Sequence, residues 1–297
     1  MTPLTTTVPP AAHRPPARAG GPAARAGTRL RRAGPAAAVL VAALILLAVL
    51  APGLFGTASP TGTSATDALL APSGAHWFGT DQLGRDVFTR VVHGTRLSVL
   101  LGAGSTVLAV AAGALLGLAA ALGGRIVDQV LMRAADVLLS LPPILLALLA
   151  VTVLGSGTQN VMVAIAVAFA PGYARIVRAE TLVILRSGQI EAAIGLGLPR
   201  PLLIVRHIVP NALGPLLVLA TVGFGGSLIA VSGLSFLGLG PQPPTPEWGA
   251  MLSEGRDFLQ TAWWLGTFPG AAIALTALTV NTLGRHARRR FTRRTTR

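Results

Sequence analysis

The feature that most constrains this chain is the length of its charge-free runs. No Asp, Glu, Arg or Lys occurs from Leu97 to Gly124, from Val137 to Ala174, from Ile208 to Pro246, or from Phe258 to Gly284. An earlier apolar run extends from about Pro35 to Phe55. A helix rises about 1.5 Å per residue, so about 20 apolar residues cross the hydrocarbon core of a bilayer. Lipid offers no hydrogen bonds to the backbone, and a continuous apolar run meets that demand as a helix. Only 11% of the 297 residues are charged, against about 25% in a soluble domain. The chain therefore reads as an all-α polytopic membrane protein.

Six spans account for the runs. The first lies at 35–56 and the second at 97–124. The 38 residues from Val137 to Ala174 exceed one span, and GSGTQN at 155–160 divides them into a hairpin with spans near 137–154 and 161–178. Pro142, Pro143 and Pro171 bend or delimit these helices, as membrane bundles tolerate. A fifth span is expected at 211–232, followed by non-helical SGLSFLGLGPQPPTPEWG, and a sixth at 258–284. Between spans lie a polar segment at 57–96 and a short charged link, GGRIVDQVLMRAAD, suited to a helix at the surface. Residues 1–34 hold six arginines and no acid and read as a disordered basic tail. A cleaved signal peptide is the rival reading of the first run, but its basic region would exceed 30 residues. The carboxyl tail, 285–297, is also basic.

Charge placement orients the chain. Every basic residue apart from histidine is an arginine. Under six spans, one side carries twenty of them: six in the amino tail, two in the 124–136 link, five in the 175–207 loop and seven in the carboxyl tail. The other side carries Arg85, Arg90, Arg96 and Arg256. That asymmetry places both termini and the 175–207 loop in the cytoplasm. Basic tails that abut spans set topology and hold anionic lipid. With no aromatic interleaving, they do not indicate nucleic-acid binding.

The expected spans carry no ionisable residue in their apolar cores, which removes the usual basis for proton coupling. There is no HExxH, no phosphate-cradling loop and no cysteine. No catalytic or metal-binding set is predicted. A transporter of this composition needs another protein to drive it. The stretch EAAIGLGLPRPLLIVRHIVPN, Glu191–Asn211, suits such a contact. Ser187 is placed to cap a short helix, Glu191 lies in its early turns where the dipole favours an acid, and Gly195 or Gly197 can end it.

These residues carry a resemblance. Glu191-Ala192-Ala193, then Gly197, Ile208 and Pro210, resemble the EAA motif of bacterial ABC-importer permeases, departing at Val209 where leucine is commoner. WFGTDQLGRDVFTRVVHGTRLSV at 77–99 and LSFLGLGPQPPTPEWGAMLSEGRDFL at 234–259 are similar to the dipeptide/oligopeptide/nickel branch, in its C-type subunit. The resemblance spans roughly 35–284. It implies a type I (MetI-like) importer fold in a bacterial inner membrane, with no cofactor on this chain. It also implies a second homologous permease subunit, two cytoplasmic ATPase subunits that hydrolyse the ATP, and an extracytoplasmic solute-binding protein. By this resemblance Ile190, Glu191, Ala192, Ala193, Ile194, Leu196, Gly197, Ile208 and Pro210 form the ATPase-coupling segment. Peptides are the implied cargo, with nickel or another chelated metal as the alternative.

On the outer side, Gly79, Asp81, Gly84, Arg85 and Asp86 precede the second span. The charged trio reads as a locally paired helix cap, with a surface for the binding protein as the other reading. Pro241–Trp248, with Pro243, Pro244 and Trp248, is a candidate lid or docking loop. Trp263 and Trp264 are expected as interfacial anchors. Gly102, Gly104, Gly113 and Gly117 suggest close helix packing. A lone secondary transporter or channel, or a membrane enzyme, would leave the EAA segment without a purpose.

Overall fold

A computed structural model describes residues 22–56 and 59–292. Its helices are α1 (Pro22–Leu50), α2 (Val87–Leu122), α3 (Gly124–Leu139), α4 (Pro143–Leu154), α5 (Thr158–Leu185), α6 (Gly188–Gly195), α7 (Arg200–Leu203), α8 (Val209–Phe236), α9 (Trp248–Gly255) and α10 (Trp264–Thr292). A π-turn at Ile204–Ile208 joins α7 to α8. The described residues contain no strand, only an isolated bridge between Thr80 and Asp86.

Among the described residues, three helices are long and apolar enough to cross a membrane: α2, α5 and the Leu219–Phe236 part of α8. The α3–α4 pair makes a fourth if taken as one span, but it bends by 99°. This corrects the span expected at 137–154. Helix α4 has 12 residues, about 18 Å of rise and short of a bilayer core. The break follows from Pro142 and Pro143. Neither has an N–H to give, and a proline pushes the residue before it away from helical geometry. Ser140, at the end of α3, donates its hydroxyl to the Val137 carbonyl at 2.7 Å.

Other boundaries move for local reasons. Helix α1 begins at Pro22, within the segment read as a tail; residues 1–21 and 293–297 lie outside the described residues. The Ala- and Arg-rich sequence there is a good helix former. Helix α2 begins at Val87, ten residues before the expected span, because Asp86 caps it by accepting from the Thr89 N–H at 2.8 Å. Helix α8 continues through Ser232–Phe236, which was expected to be non-helical. It stops where Gly238 takes φ +79° and the Gly238 and Leu239 N–H groups return to Ser235 and Leu234. Helix α10 starts at Trp264, later than Phe258.

Glycines set the bundle's spacing. A Cβ on Gly113 would stand 2.4 Å from the Cβ of Tyr173, and one on Gly117 would stand 2.5 Å from the Ala174 carbonyl oxygen, both on α5. On α2 as well, Gly104 faces Met162 of α5, and Gly102 faces Leu228 of α8. In lipid, helices gain little from apolar burial, so close approach through small residues supplies the attraction. Two apolar clusters result: Leu101, Leu146, Ile165 and Leu234 join α2, α4, α5 and α8, and Ala109, Tyr173, Val177 and Leu216 join α2, α5 and α8.

The bundle has two polar ends. At one, α6 packs against Leu122 and against Ile184 and Leu185, the last residues of α2 and α5. There α3 is tied to α5 by ion pairs from Asp128 to Arg178 and from Asp136 to Arg175. At the other, Trp264 at the start of α10 donates its indole N–H to the Thr80 carbonyl at 3.0 Å, and the Gly157 N–H reaches the Leu239 carbonyl at 3.1 Å.

Candidate functional site

Helix α6 is a short rod with a firm stop. Ser187 sits at its N-cap in extended geometry, but no side-chain capping bond is made; its carbonyl instead accepts the Ile190 and Glu191 N–H groups at 2.9 and 3.2 Å. Glu191 lies in the first turn, as expected. At the other end Gly197, not Gly195, takes φ +77°. Its N–H bonds the Ile194 carbonyl at 2.9 Å and the Leu198 N–H bonds the Ala193 carbonyl at 3.2 Å, a Schellman stop. A Cβ at Gly197 would meet nothing within 4 Å, so the requirement is the backbone angle alone.

The expected coupling residues divide between two faces. Ile190 is 2% exposed, and with Ala193, Leu203 and Ile208 it forms a buried cluster that Leu198 and Ile204 flank. Ile190, Ala193 and Ile208 therefore brace α6 against the chain's own helices and are not a surface for a partner. Glu191, Ala192, Gly197 and Pro210 are exposed, as are Ile194 at 61% and Leu196 at 81%. Sequence alone did not separate these faces, because an eight-residue helix offers barely two turns of apolar pattern.

At the opposite end, Asp81, Arg85, Arg90 and Glu254 form a buried charge network. Arg85 donates through Nε to Asp81 Oδ2 at 2.6 Å and through Nη2 to Glu254 Oε2 at 2.7 Å. Arg90 donates through Nη2 to the same Glu254 oxygen at 2.9 Å and lies 3.7 Å from Asp81. The two guanidinium groups are 2% and 1% exposed, and the four formal charges cancel. Arg90 Nη1 and Gln82 Oε1 have no partner and both residues border a cavity of about 10 Å³, room for one water molecule. Asp86 completes the expected local cap: Oδ1 accepts from Thr89 N and Oδ2 lies 2.9 Å from His76 Nδ1. Gly79 and Gly84 hold φ +72° and +70°. A Cβ on Gly84 would stand 1.8 Å from the Ser64 carbonyl oxygen, so the loop closes only around glycine.

The loop ahead of α9 is anchored rather than free. Glu247 is fully buried, caps α9 through Gly249 N at 3.0 Å and Ala250 N at 2.9 Å, and accepts from Ser98 Oγ at 3.1 Å. Trp248 is buried, with its indole N–H on the Val91 carbonyl at 2.9 Å. This corrects the docking reading for Asp81, Arg85 and Trp248, whose side chains are inaccessible. Pro243 and Pro244 are exposed. Of the two expected anchors only Trp263 faces outward; Trp264 is buried. Arg90, Glu247 and Glu254 escaped the sequence reading. Glu247 had a signal, an acid directly before a helix start, whereas Glu254 pairs with Arg90 across 164 residues.

Among the described residues the chain is all-helical, with several apolar helices, a short braced helix at one end and a charge-neutral clamp at the other, the make-up of a polytopic membrane protein. Residues 113–297 match the family "Binding-protein-dependent transport system inner membrane component", and the chain belongs to that family. It is 42% identical over 246 residues to the dipeptide transport system permease protein of Alkalihalophilus pseudofirmus, covering 83% of this chain and 81% of that one. It is 44% identical over 213 residues to the glutathione transport system permease protein of Pectobacterium atrosepticum, covering 72% and 71%. A solved inward-facing structure of the MetNI methionine ABC transporter contains a chain that superposes with a TM-score of 0.55. Its sequence identity is 19%, and the match covers 67% of this chain and 95% of that one. That likeness is one of fold, the ABC-importer permease fold.

Proposed function

We propose that this subunit forms half of the translocation path for di- and oligopeptides delivered by an extracytoplasmic solute-binding protein. A second, homologous permease subunit completes the path, and two cytoplasmic ATPase subunits drive it. In this reading α1, α10 and the bent α3–α4 pair, taken as one span, also cross the membrane, giving six spans with α2, α5 and α8, and both termini and α6 lie in the cytoplasm. The observation that carries it is α6: braced from within by Ile190 and Ala193, and presenting Glu191, Ala192, Ile194 and Leu196 outward. Exposed apolar side chains on a rigid helix, at a polar end of the bundle, suit an amphipathic helix laid into a partner's groove. Peptide cargo is supported by the relatives, whose names specify dipeptides and glutathione. ATP binding would close the ATPase pair and carry α6 with it, switching the spans from inward-facing to outward-facing.

Leu196→Asp and Ile194→Asp are expected to abolish co-purification of the ATPase subunits and uptake of a labelled dipeptide, while the permease still reaches the membrane. Co-purification and uptake that persist in the double variant would refute the docking role. Cargo is tested separately: proteoliposomes with the cognate binding protein should accumulate labelled dipeptide and not nickel.

A further inference from the structure

An open cavity of about 290 Å³ lies at the end of the bundle opposite α6. Its lining includes Phe55 after α1, His76 and Trp77 in the connecting segment, and Asp86 and Phe88 at the start of α2. Phe55 closes the first apolar run, so the cavity stands where that run gives way to polar sequence. Part of its wall is aromatic. Trp77 and Phe88 have ring centroids 5.1 Å apart, tilted by 59°. Phe88 is held in turn by Phe78, edge-on at 5.1 Å, and Phe78 stacks on Phe268 of α10. Trp77 is 64% exposed, whereas tryptophan is highly buried on average.

Beside the rings stands a carboxylate that no arginine balances. At this end Asp81 and Glu254 face Arg85 and Arg90. Asp86 instead pairs with an imidazole, His76 Nδ1 at 2.9 Å, and accepts the Thr89 N–H at 2.8 Å. A neutral imidazole donates its N–H and leaves the carboxylate's charge in place, and each oxygen keeps a lone pair for a further donor. The Asp86 side chain is 17% exposed, largely shielded from water yet on the cavity wall. Aromatic faces attract cations through the ring quadrupole, tryptophan's most strongly. Rings with an acid beside them suit a ligand that carries both an ammonium group and an alkyl stem. A metal ion fits less well, because the described residues hold no group of three His, Cys, Asp or Glu side chains that could bind one. We propose that this cavity binds an alkylammonium group, with Asp86 accepting from its N–H groups and Trp77 and Phe88 covering it. The ammonium of a zwitterionic lipid headgroup and a free amine share this chemistry. Such a site lies beyond the transport reading and uses none of its steps.

The test uses the full transporter at about pH 8, where imidazole is ordinarily neutral. Two pairs of probes separate the sources. Phosphatidylethanolamine is compared with phosphatidylglycerol of the same acyl chains, scored as lipid retained in native mass spectrometry. The cation n-butylammonium is compared with neutral n-butanol, titrated by saturation-transfer NMR. Asp86→Asn keeps the cap on α2, because asparagine caps as well as aspartate, and is expected to weaken binding about tenfold. Trp77→Leu keeps an apolar side chain and removes the ring; it is expected to weaken binding at least about threefold, with Trp77→Phe restoring most of the loss. Selective retention of phosphatidylethanolamine that both variants lose identifies a lipid headgroup. Loss confined to butylammonium identifies a free amine. Butanol binding as tightly as butylammonium overturns the proposal. So does wild-type affinity for both cationic probes in either Asp86→Asn or Trp77→Leu, and each variant decides alone where the other fails to assemble.

Discussion

Glu254→Gln separates a structural clamp from a docking surface at the end of the bundle opposite α6. The Glu254 carboxylate takes one guanidinium bond from Arg85 at 2.7 Å and one from Arg90 at 2.9 Å. Its side chain is 15% exposed, and both arginines are almost wholly buried. Glutamine keeps the shape and one acceptor but removes the charge, leaving Asp81 alone to balance two buried cations. Breaking a buried ion pair costs about 3–5 kcal/mol. The residual acceptor and partial solvent access point to the lower end, about 3 kcal/mol. Asp257→Asn is the control, since Asp257 meets Arg256 only at 3.4 Å with both side chains exposed; it should cost no more than about 0.5 kcal/mol. The assay is thermal melting of the purified transporter in nanodiscs, alongside uptake stimulated by the binding protein. Adding Arg90→Gln to Glu254→Gln restores neutrality and should recover at least about 1 kcal/mol relative to the sum of the single costs. The reasoning fails if Glu254→Gln melts like the control. It fails equally if uptake collapses while melting is unchanged, for then the carboxylate serves a partner.

Gly84→Ala should prevent accumulation of folded protein, since its Cβ would stand 1.8 Å from the Ser64 carbonyl and its φ is +70°; wild-type yields in membranes would refute this. For topology, Leu196→Cys in this cysteine-free chain should react with an impermeant maleimide only in inverted vesicles, and labelling from outside intact cells would refute the cytoplasmic placement of α6.

What sequence determined by itself was whatever a few neighbouring residues decide. Charge-free runs announce apolar helices because lipid leaves the backbone no outside partner. Gly197 announces a helix stop because a left-handed turn needs only its own φ. Asp86 announces a cap because the N–H that its carboxylate accepts lies three residues on. Pro210 was legible as a member of the EAA-like segment, but nothing in sequence said that a π-turn, Ile204–Ile208, would precede it. Tertiary structure decided the rest. Whether Ile190 or Ile194 faces a partner depends on what covers α6, and Leu203 and Ile208 supply that cover. Arg85 and Arg90 read as outer-surface charges until Glu254 arrives from the far end of the chain. A guanidinium can be buried only where a carboxylate meets it, and that meeting is made by the fold.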